Sequence, residues 1–288
     1  MFVVTGVTGQ LGDAIARALA NLVPANEIVG TCRDASRTTD LASLGINVRQ
    51  GDFGDPASLR TAFAGASQIL IVSSNARAHG GDTLAQHRNA IDAARDAGAK
   101  RIVYTSHMAA SVKSAFPPMH DHAKTEDMVK ASGLSWTILK HGFYAGSGVG
   151  MLADAVKTGT LDTAVDGPVS WTAHADLAEA AARILTGPSL ESGSTPPLTG
   201  SEALDLGQLA EITSDLLGRP VSRHVHSDDA MHKKLEERGV PAPVIPISLG
   251  FYTAARNHEF AGVDPTLQQL IGRSPIRIRD LIAEKYVQ

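Results

Sequence analysis

An open, doubly wound parallel α/β sheet, followed by a smaller α+β portion, is the fold class this sequence predicts. Six short β-rich runs alternate with amphipathic helical segments before about residue 145. The runs are nearly continuously apolar, as strands buried on both faces are. Each is followed by a helical segment, which means right-handed β-α-β units, and the first ends in a glycine-rich turn that opens its helix.

The strands are expected at 1–5 ("MFVVT"), 27–32 ("EIVGTC"), 46–50 ("INVRQ"), 68–74 ("QILIVSS"), 101–106 ("RIVYTS") and 135–140 ("SWTILK"). Between them "QLGDAIARALANLV", "DPASLRTAFAG", "DTLAQHRNAIDAARDAG" and "HAKTEDMVKASG" carry helical periodicity. Asp55 before Pro56 reads as an N-cap with proline in the first turn, and Gly65, Gly98 and Gly133 read as helix stops. Beyond about residue 145 the alternation fails. "HADLAEAAARILTG" and "DLGQLAEITSDLLGRP" are helices, "TGPSLESGSTPPLTGSEA" is loop, and "VPAPVIPISLG" marks helical pieces broken by proline. The expected division is 1–150 for the first domain and 151–288 for a C-terminal substrate-binding region, interleaved because open sheets often take a late strand from beyond the first boundary.

With 288 residues, 43% hydrophobic and 19% charged, the chain suits a soluble globular protein with a sizeable core. A net charge of −4 gives no basic face for a nucleic acid. The single cysteine, Cys32, excludes an intrachain disulfide and fits a reducing compartment. No apolar stretch has the length of a membrane helix, and "MFVVTGVTG" lacks a basic leader region. The expectation is a cytoplasmic protein with no membrane and no nucleic acid among its partners. A homodimer is compatible with the sequence, which does not fix the assembly.

"VVTGVTGQLGDAIARAL" spaces Gly6, Gly9 and Gly12 as G-x-x-G-x-x-G between the first strand and first helix. That context is what a dinucleotide-binding turn demands. Gly6 allows the tight turn, Gly9 lets the backbone approach a pyrophosphate, and Gly12 lets the helix pack on the strand. The helix start offers free N–H groups and positive dipole to phosphates. The end of the second strand selects the cofactor. A carboxylate there holds the ribose 2′-OH of NAD, whereas a cation suits the 2′-phosphate of NADP. Cys32 is followed by Arg33, whose guanidinium favours NADPH over NADH; Asp34 is the complication. Asp52 and Phe53 follow the third strand and can border an adenine. Ser73, Ser74 and Asn75 end the fourth, at the carboxyl edge where ligands of open sheets bind.

These residues carry a family resemblance. "VTGVTGQLG", "TCRDAS", "VRQGDFGDPASLRTAFAGASQILIVSS", "QHRNAIDAARDAGAKRIVYTS" and "SGLSWTILKHGFY" resemble the atypical short-chain dehydrogenases of the NmrA-like group, in particular the bacterial NADPH:quinone oxidoreductases of the second type and the triphenylmethane reductases. The likeness covers nearly the whole chain and is looser beyond about 225. It implies an NAD(P)-binding Rossmann fold with NADPH along Gly6, Val7, Thr8, Gly9, Gln10, Leu11 and Gly12, and Arg33 at the 2′-phosphate. It also implies that Ser73 to Asn75 and the loop His141, Gly142, Phe143, Tyr144, Ala145 and Gly146 complete the nicotinamide end, with Ser106 or Thr105 as the serine after the fifth strand.

Standard short-chain reductases use a Tyr-x-x-x-Lys pair, the lysine lowering the tyrosine's pKa. None of the four tyrosines here has a lysine four residues on, and counting back from Ser132–Gly133 the pair falls on Pro118 and His122. The quinone-reductase group also lacks it. Quinone reduction is driven by aromatisation, so positioning supplies most of the acceleration. His122 or His120 could donate a proton or hydrogen bond to the developing phenolate, and Tyr144 competes for that role. His120 and Asp121 also read as a helix-start cluster with Lys124 solvated. His-x-His aims its rings to different helical faces, which argues against zinc even if His107 or His141 converged. No G-x-S-x-G elbow supports a hydrolase. Phe143, Tyr144 and Trp171 are candidate walls for a planar acceptor, or packing between the two portions. The expected function is NADPH-dependent hydride transfer to a quinone or similar conjugated electrophile. The rival is a redox sensor that binds NADP(H) without catalysis and acts through a protein partner.

Overall fold

Every expected strand of the first half forms. A computed structural model describes residues 1–187 and 192–287 and gives β1 (Phe2–Thr5), α1 (Gln10–Ala20), β2 (Ile28–Cys32), α2 (Thr39–Ser43), β3 (Asn47–Gln50), α3 (Pro56–Phe63), β4 (Gln68–Ile71), α4 (Thr83–Asp96), β5 (Arg101–His107), α5 (Pro118–Lys130) and β6 (Ser135–His141). Together with the short strand Gly193–Ser194 they make a seven-stranded parallel sheet. Its order is β3-β2-β1-β4-β5-β6-(193–194), a Rossmann-like doubly wound topology. The order reverses between β1 and β4, so the carboxyl ends of these strands flank a crevice.

Strand alternation sorts the core. Val4, Leu70, Val103 and Leu139 face one side, where they meet Leu11, Ile15 and Leu19 of α1 and Leu177, Ala181 and Leu185 of the helix His174–Thr186. Val3, Ile69, Ile71, Ile102 and Tyr104 face the other, against Leu59 and Phe63 of α3, Ile91 of α4 and Val129 of α5. Leu11, Ile15 and Leu19 recur every fourth residue, so α1 buries one stripe. Each such side chain stabilises by about 1.5–3 kcal/mol. A third core lies beyond the sheet, built from Leu152, Trp171, Leu206, Leu209, Phe251, Phe260 and Ile278, and it takes in Met119 of α5. Two small parallel pairs belong there, Phe143–Tyr144 with Trp171–Thr172 and Thr160–Ala164 with Ser222–His226.

Local signals explain several boundaries. The Asp55 side chain accepts from the Ala57 N–H at the start of α3, and Gly65, Gly98 and Gly133 take positive φ after their helices. β4 ends at Ile71 rather than at Ser74. Beyond it the N–H groups of Val72, Ser73 and Ser74 bond to Thr5 Oγ1, Thr105 Oγ1 and His87 Nε2 at 2.9, 2.9 and 2.8 Å, so side chains replace the ladder. α5 begins at Pro118, four residues before the periodicity of "HAKTEDMVK" suggests, because proline is at home in a first turn. "VPAPVIPISLG" resolves into the start of a helix, Ile245–Arg256. Within the loop "TGPSLESGSTPPLTGSEA", residues 188–191 lie outside the described residues, and Gly193–Ser194 supplies the seventh strand. No helix among the described residues is long and apolar enough to cross a membrane.

Candidate active site

The glycine turn is shaped by sterics that only glycine meets. Gly6 has φ +67°, and a Cβ on Gly12 would lie 2.4 Å from the Gly6 carbonyl oxygen and 2.9 Å from that of Thr5. Helix α1 therefore rests directly on the end of β1. Gly9 is its N-cap, and intrahelical bonding begins with Asp13 N–H to Gly9 O at 3.0 Å. The amides of Gln10, Leu11 and Gly12 are left at the helix start, a ready anion site. Val7 turns inward: it is 2% exposed, its N–H donates to Thr31 O, and its methyls sit 3.0 Å from where a Gly30 Cβ would be.

A cleft of about 960 Å³ runs from this turn along the carboxyl edge of the sheet, at the upper end of the range for small-molecule sites. It is lined at one end by Gly6, Thr8, Gly9, Gln10, Leu11, Gly12, Arg33, Asp52 and Phe53, in its middle by Ser73, Ser74 and Asn75, and at the other end by His122, Phe143 and Tyr144. Val7, Thr105, Ser106, His141, Gly142, Ala145 and Gly146 are not among its lining. The reasons are local. Thr105 Oγ1 accepts the Ser73 N–H, and the Ser106 hydroxyl donates to Glu126, which Lys140 also holds. Gly142 is clamped by its N–H to Leu198 O, with a Cβ position 2.4 Å from Thr172 Oγ1. Ala145 and His141 are fully buried. Gly146 is exposed beside His174 and Gln10. Trp171 is buried, its Nε1–H donating to Leu204 O at 2.9 Å, so it packs behind Phe143 rather than walling the cleft. His120 also turns away, with Nε2 at 2.8 Å from Ser114 O.

Other lining residues escape sequence reasoning: Arg77, Gln86, His87, Tyr104, Phe116, Met119, Ser147, His174 and Ile247; His107, weighed there only as a metal ligand, and Asp121, read there as a helix-start residue, line it too. His107 follows Ser106 at the carboxyl end of a strand, a position that itself signals ligand contact. Arg77 and Asp121 come from different elements and join as a bidentate ion pair, both bonds 2.6 Å. No local signal announces that pairing. Phe143 is the hub of the aromatic wall, with ring centroids 5.7 Å from Phe116, 4.9 Å from Phe260 and 5.1 Å from Phe251.

His87, His122 and Tyr144 at the inner end are held neutral. His87 is buried and pushed down to about 3, mainly by burial, with His122 adding to it. Its Nε2 accepts the Ser74 N–H, so its Nδ1–H donates to Thr125 Oγ1 at 2.8 Å. His122 Nδ1 lies 2.9 Å from the Tyr104 hydroxyl. Burial pushes His122 down to about 4, against the pull of Asp121. Its charge state therefore does not give the imidazolium that a general acid needs at neutral pH. Burial drives the Tyr144 hydroxyl above its ordinary value, and its ring packs on His174 with centroids 4.5 Å apart. Neither His122 nor Tyr144 is tuned toward neutrality.

Asp34, the residue that complicated the choice of cofactor, caps the turn Ala35–Arg37. Its Oδ1 accepts from Ser36 N–H and the Ser36 hydroxyl at 3.1 and 2.6 Å, and it does not line the cleft. Arg33 is exposed at the cleft. Among the described residues, Asp162, His224 and His226 bring ligand-type atoms within 4.8 Å of one another, away from the cleft. Lys234 and Arg238 each lie 3.0 Å from Asp162 Oδ2, so a cation there meets two fixed positive charges.

Comparison with known proteins is consistent with this arrangement. The model of a family described as NAD(P)H-binding matches residues 6–188. Quinone oxidoreductase 2 of Escherichia coli (strain K12) is 32% identical over 287 residues, covering 99% of each chain. An NAD(P)H azoreductase of Xenophilus azovorans is 27% identical over 95% of this chain and 93% of its own. Among solved structures, the NADPH-dependent quinone oxidoreductase of Escherichia coli complexed with NADPH superposes with a TM-score of 0.92 at 32% identity, covering 99% and 100% of the two chains. The Citrobacter sp. triphenylmethane reductase complexed with NADP(H) gives 0.89 at 31% identity, with both chains fully covered.

Proposed function

Because this chain belongs to the NAD(P)H-binding family, we propose that it reduces a quinone or a similar planar, conjugated electrophile at the inner end of the cleft. It is an NADPH-dependent oxidoreductase, and the relatives that support this include a quinone reductase and a triphenylmethane reductase. The carrying observation is one continuous cleft: a phosphate-sized helix start and Arg33 at one end, and an apolar wall of Phe116, Met119, Phe143 and Ile247 at the other.

When bound, NADPH supplies a hydride, two electrons with one hydrogen, from its nicotinamide ring. The chain's residues do the rest. The amides of Gln10 to Gly12 hold the pyrophosphate in the dipole of α1. Arg33 takes the 2′-phosphate, and Asp34 is engaged in its own turn, away from the cleft. Ser73 to Asn75 border the nicotinamide side. Phe143 and Phe116 fix the plane of the acceptor, so that geometry supplies the acceleration. The acceptor gains hydride and one proton from solvent and leaves as the hydroquinone. His122 and Tyr144 orient it rather than deliver that proton, since both stay neutral and poorly matched to pH 7. A cytoplasmic setting and a homodimer belong to the same proposal.

The test is loss of NADPH absorbance with a panel of quinones. Saturable, quinone-dependent oxidation is the expected result. Tight NADP(H) binding with no turnover on any acceptor would refute the reading in favour of a sensor.

A further inference from the structure

His107 is the last residue of β5, at the carboxyl edge, and it lines the inner end of the cleft between His122, Phe143 and Phe260, whose rings lie 6.2, 5.7 and 5.5 Å away. It is 7% exposed. Its Nδ1 accepts the Ala109 N–H at 3.1 Å. A neutral imidazole carries one hydrogen, so an accepting Nδ1 puts that hydrogen on Nε2. Burial, with His122, His141 and Lys140 adding to it, holds His107 well below its ordinary pKa, so the neutral ring persists across the physiological range. Nε2 is buried and has no hydrogen-bond partner among the described residues. A buried donor without a partner is costly and calls for a purpose.

The neighbouring histidines do not share these properties. His122 faces a tyrosine hydroxyl that can donate or accept, so its tautomer is not fixed by that bond. Both nitrogens of His141 are unpartnered, yet its ring does not line the cleft. His107 alone of the three combines a place in the cleft with a donor fixed by the backbone.

We infer that His107 Nε2–H donates a hydrogen bond to the carbonyl oxygen of the acceptor and holds the oxyanion that forms as hydride arrives. This rests on the reductase reading above and names its substrate class: acceptors whose electrons end on an oxygen. The C4–H bond of the dihydronicotinamide breaks as its hydride bonds to one quinone oxygen, and the ring becomes aromatic. The other C=O becomes C–O⁻ at His107, and water protonates that oxygen to complete the hydroquinone, leaving hydroxide. His107 donates without being deprotonated, as a preorganised donor does in an oxyanion hole.

Three proteins decide it: wild type, His107→Phe, which keeps a flat ring without the donor, and His107→Gln, which restores an N–H. His107→Met replaces the phenylalanine variant should the latter not fold. Two readouts are taken, on samples matched for melting temperature and NADPH affinity. In the first, kcat/KM for a benzoquinone is compared with that for a triphenylmethane dye cation, which takes hydride at carbon and has no carbonyl oxygen. His107→Phe is expected to lose roughly 10–100-fold more on the quinone than on the dye, with His107→Gln recovering much of that difference. In the second, 4-nitrophenolate binds the NADP⁺ complex as a stand-in for the oxyanion. Its absorbance shifts to the blue on wild type, and the shift and affinity fall together in His107→Phe. Equal losses on quinone and dye, or an unchanged phenolate spectrum, would overturn the role of His107 while leaving the reductase standing. A wild type that reduces no quinone overturns the functional reading, and an unshifted phenolate in that same protein removes the donor as well.

Discussion

Replacing Gly12 by alanine separates the shape of the glycine turn from its chemistry. The added Cβ would sit 2.4 Å from the Gly6 carbonyl oxygen and 2.7 Å from its carbon. An ordinary contact begins at 3.4 Å, so the start of α1 must retreat by about 3.4 − 2.4 = 1 Å. Backbone opposes backbone, and no side chain can swing aside. The cost falls at the upper end of the overpacking range, about 3 kcal/mol, or roughly 6 °C in melting temperature for a chain of this length. The same retreat carries the amides of Gln10 and Leu11 about 1 Å from the pyrophosphate, enough to break hydrogen bonds of ordinary length. NADPH is expected to bind more than about tenfold more weakly. Gly9→Ala is the control. Its φ is −94°, and its Cβ would meet Gly6 O at an ordinary 3.4 Å. Stability should change by no more than about 1 kcal/mol, the cost of alanine at an N-cap, while the methyl obstructs the approach of the pyrophosphate. Melting curves and titration of NADPH fluorescence read both effects. Wild-type stability and affinity in Gly12→Ala would refute the steric account of the turn.

Arg33→Ala should weaken NADPH by at least about tenfold and leave NADH within about twofold, because only the 2′-phosphate loses a charged partner; equal losses, measured by titration of both cofactors, would remove the assignment. The buried histidines set the acid limit of stability. His87 and His141 are pushed down to about 3 and His122 to about 4 in the fold, against about 6.5 unfolded. The unfolded chain therefore binds more protons below pH 6.5. The stability is complete above that pH and is lost as pH falls toward 3–4, by up to about 2 kcal/mol per histidine between pH 6.5 and 5. Urea unfolding at the two pH values checks this, and a stability that rises on acidification would contradict it. The same depression of His122 implies that kcat/KM for the acceptor is flat between about pH 5.5 and 8. An inflection near 6.5 that disappears in His122→Gln would restore a general-acid role.

Much of the nucleotide half was legible because its signals are local. A strand, a G-x-x-G-x-x-G turn and an amphipathic helix occupy adjacent residues, and Gly6 and Gly12 are glycines for reasons that act within one turn. Cys32–Arg33 at a strand end was legible for the same reason, as was the absence of Tyr-x-x-x-Lys. What Asp34 does was not, since capping its own turn or facing a ribose differ by a side-chain rotation. The acceptor end resisted because it is assembled from distant segments. Arg77 meets Asp121 across 44 residues, and Ile247 arrives from a helix beyond the sheet. Resemblance drew attention to the whole loop from His141 to Gly146, but only Phe143 and Tyr144 line the cleft. His141 is fully buried at the end of β6, and Thr172, Leu198 and Ser170 leave Gly142 no room. At β5 the alternation of the strand decides the outcome: Ser106 turns toward Glu126, and the next residue, His107, reaches the cleft.

The central claim is hydride transfer from NADPH to a carbonyl acceptor, and the most direct measurement is anaerobic oxidation of NADPH deuterated at C4 with a soluble quinone. One hydroquinone per NADPH, a primary isotope effect from one of the two C4 positions only, and slower turnover with NADH are the expected results. NADP(H) binding without any quinone-dependent oxidation would contradict the claim.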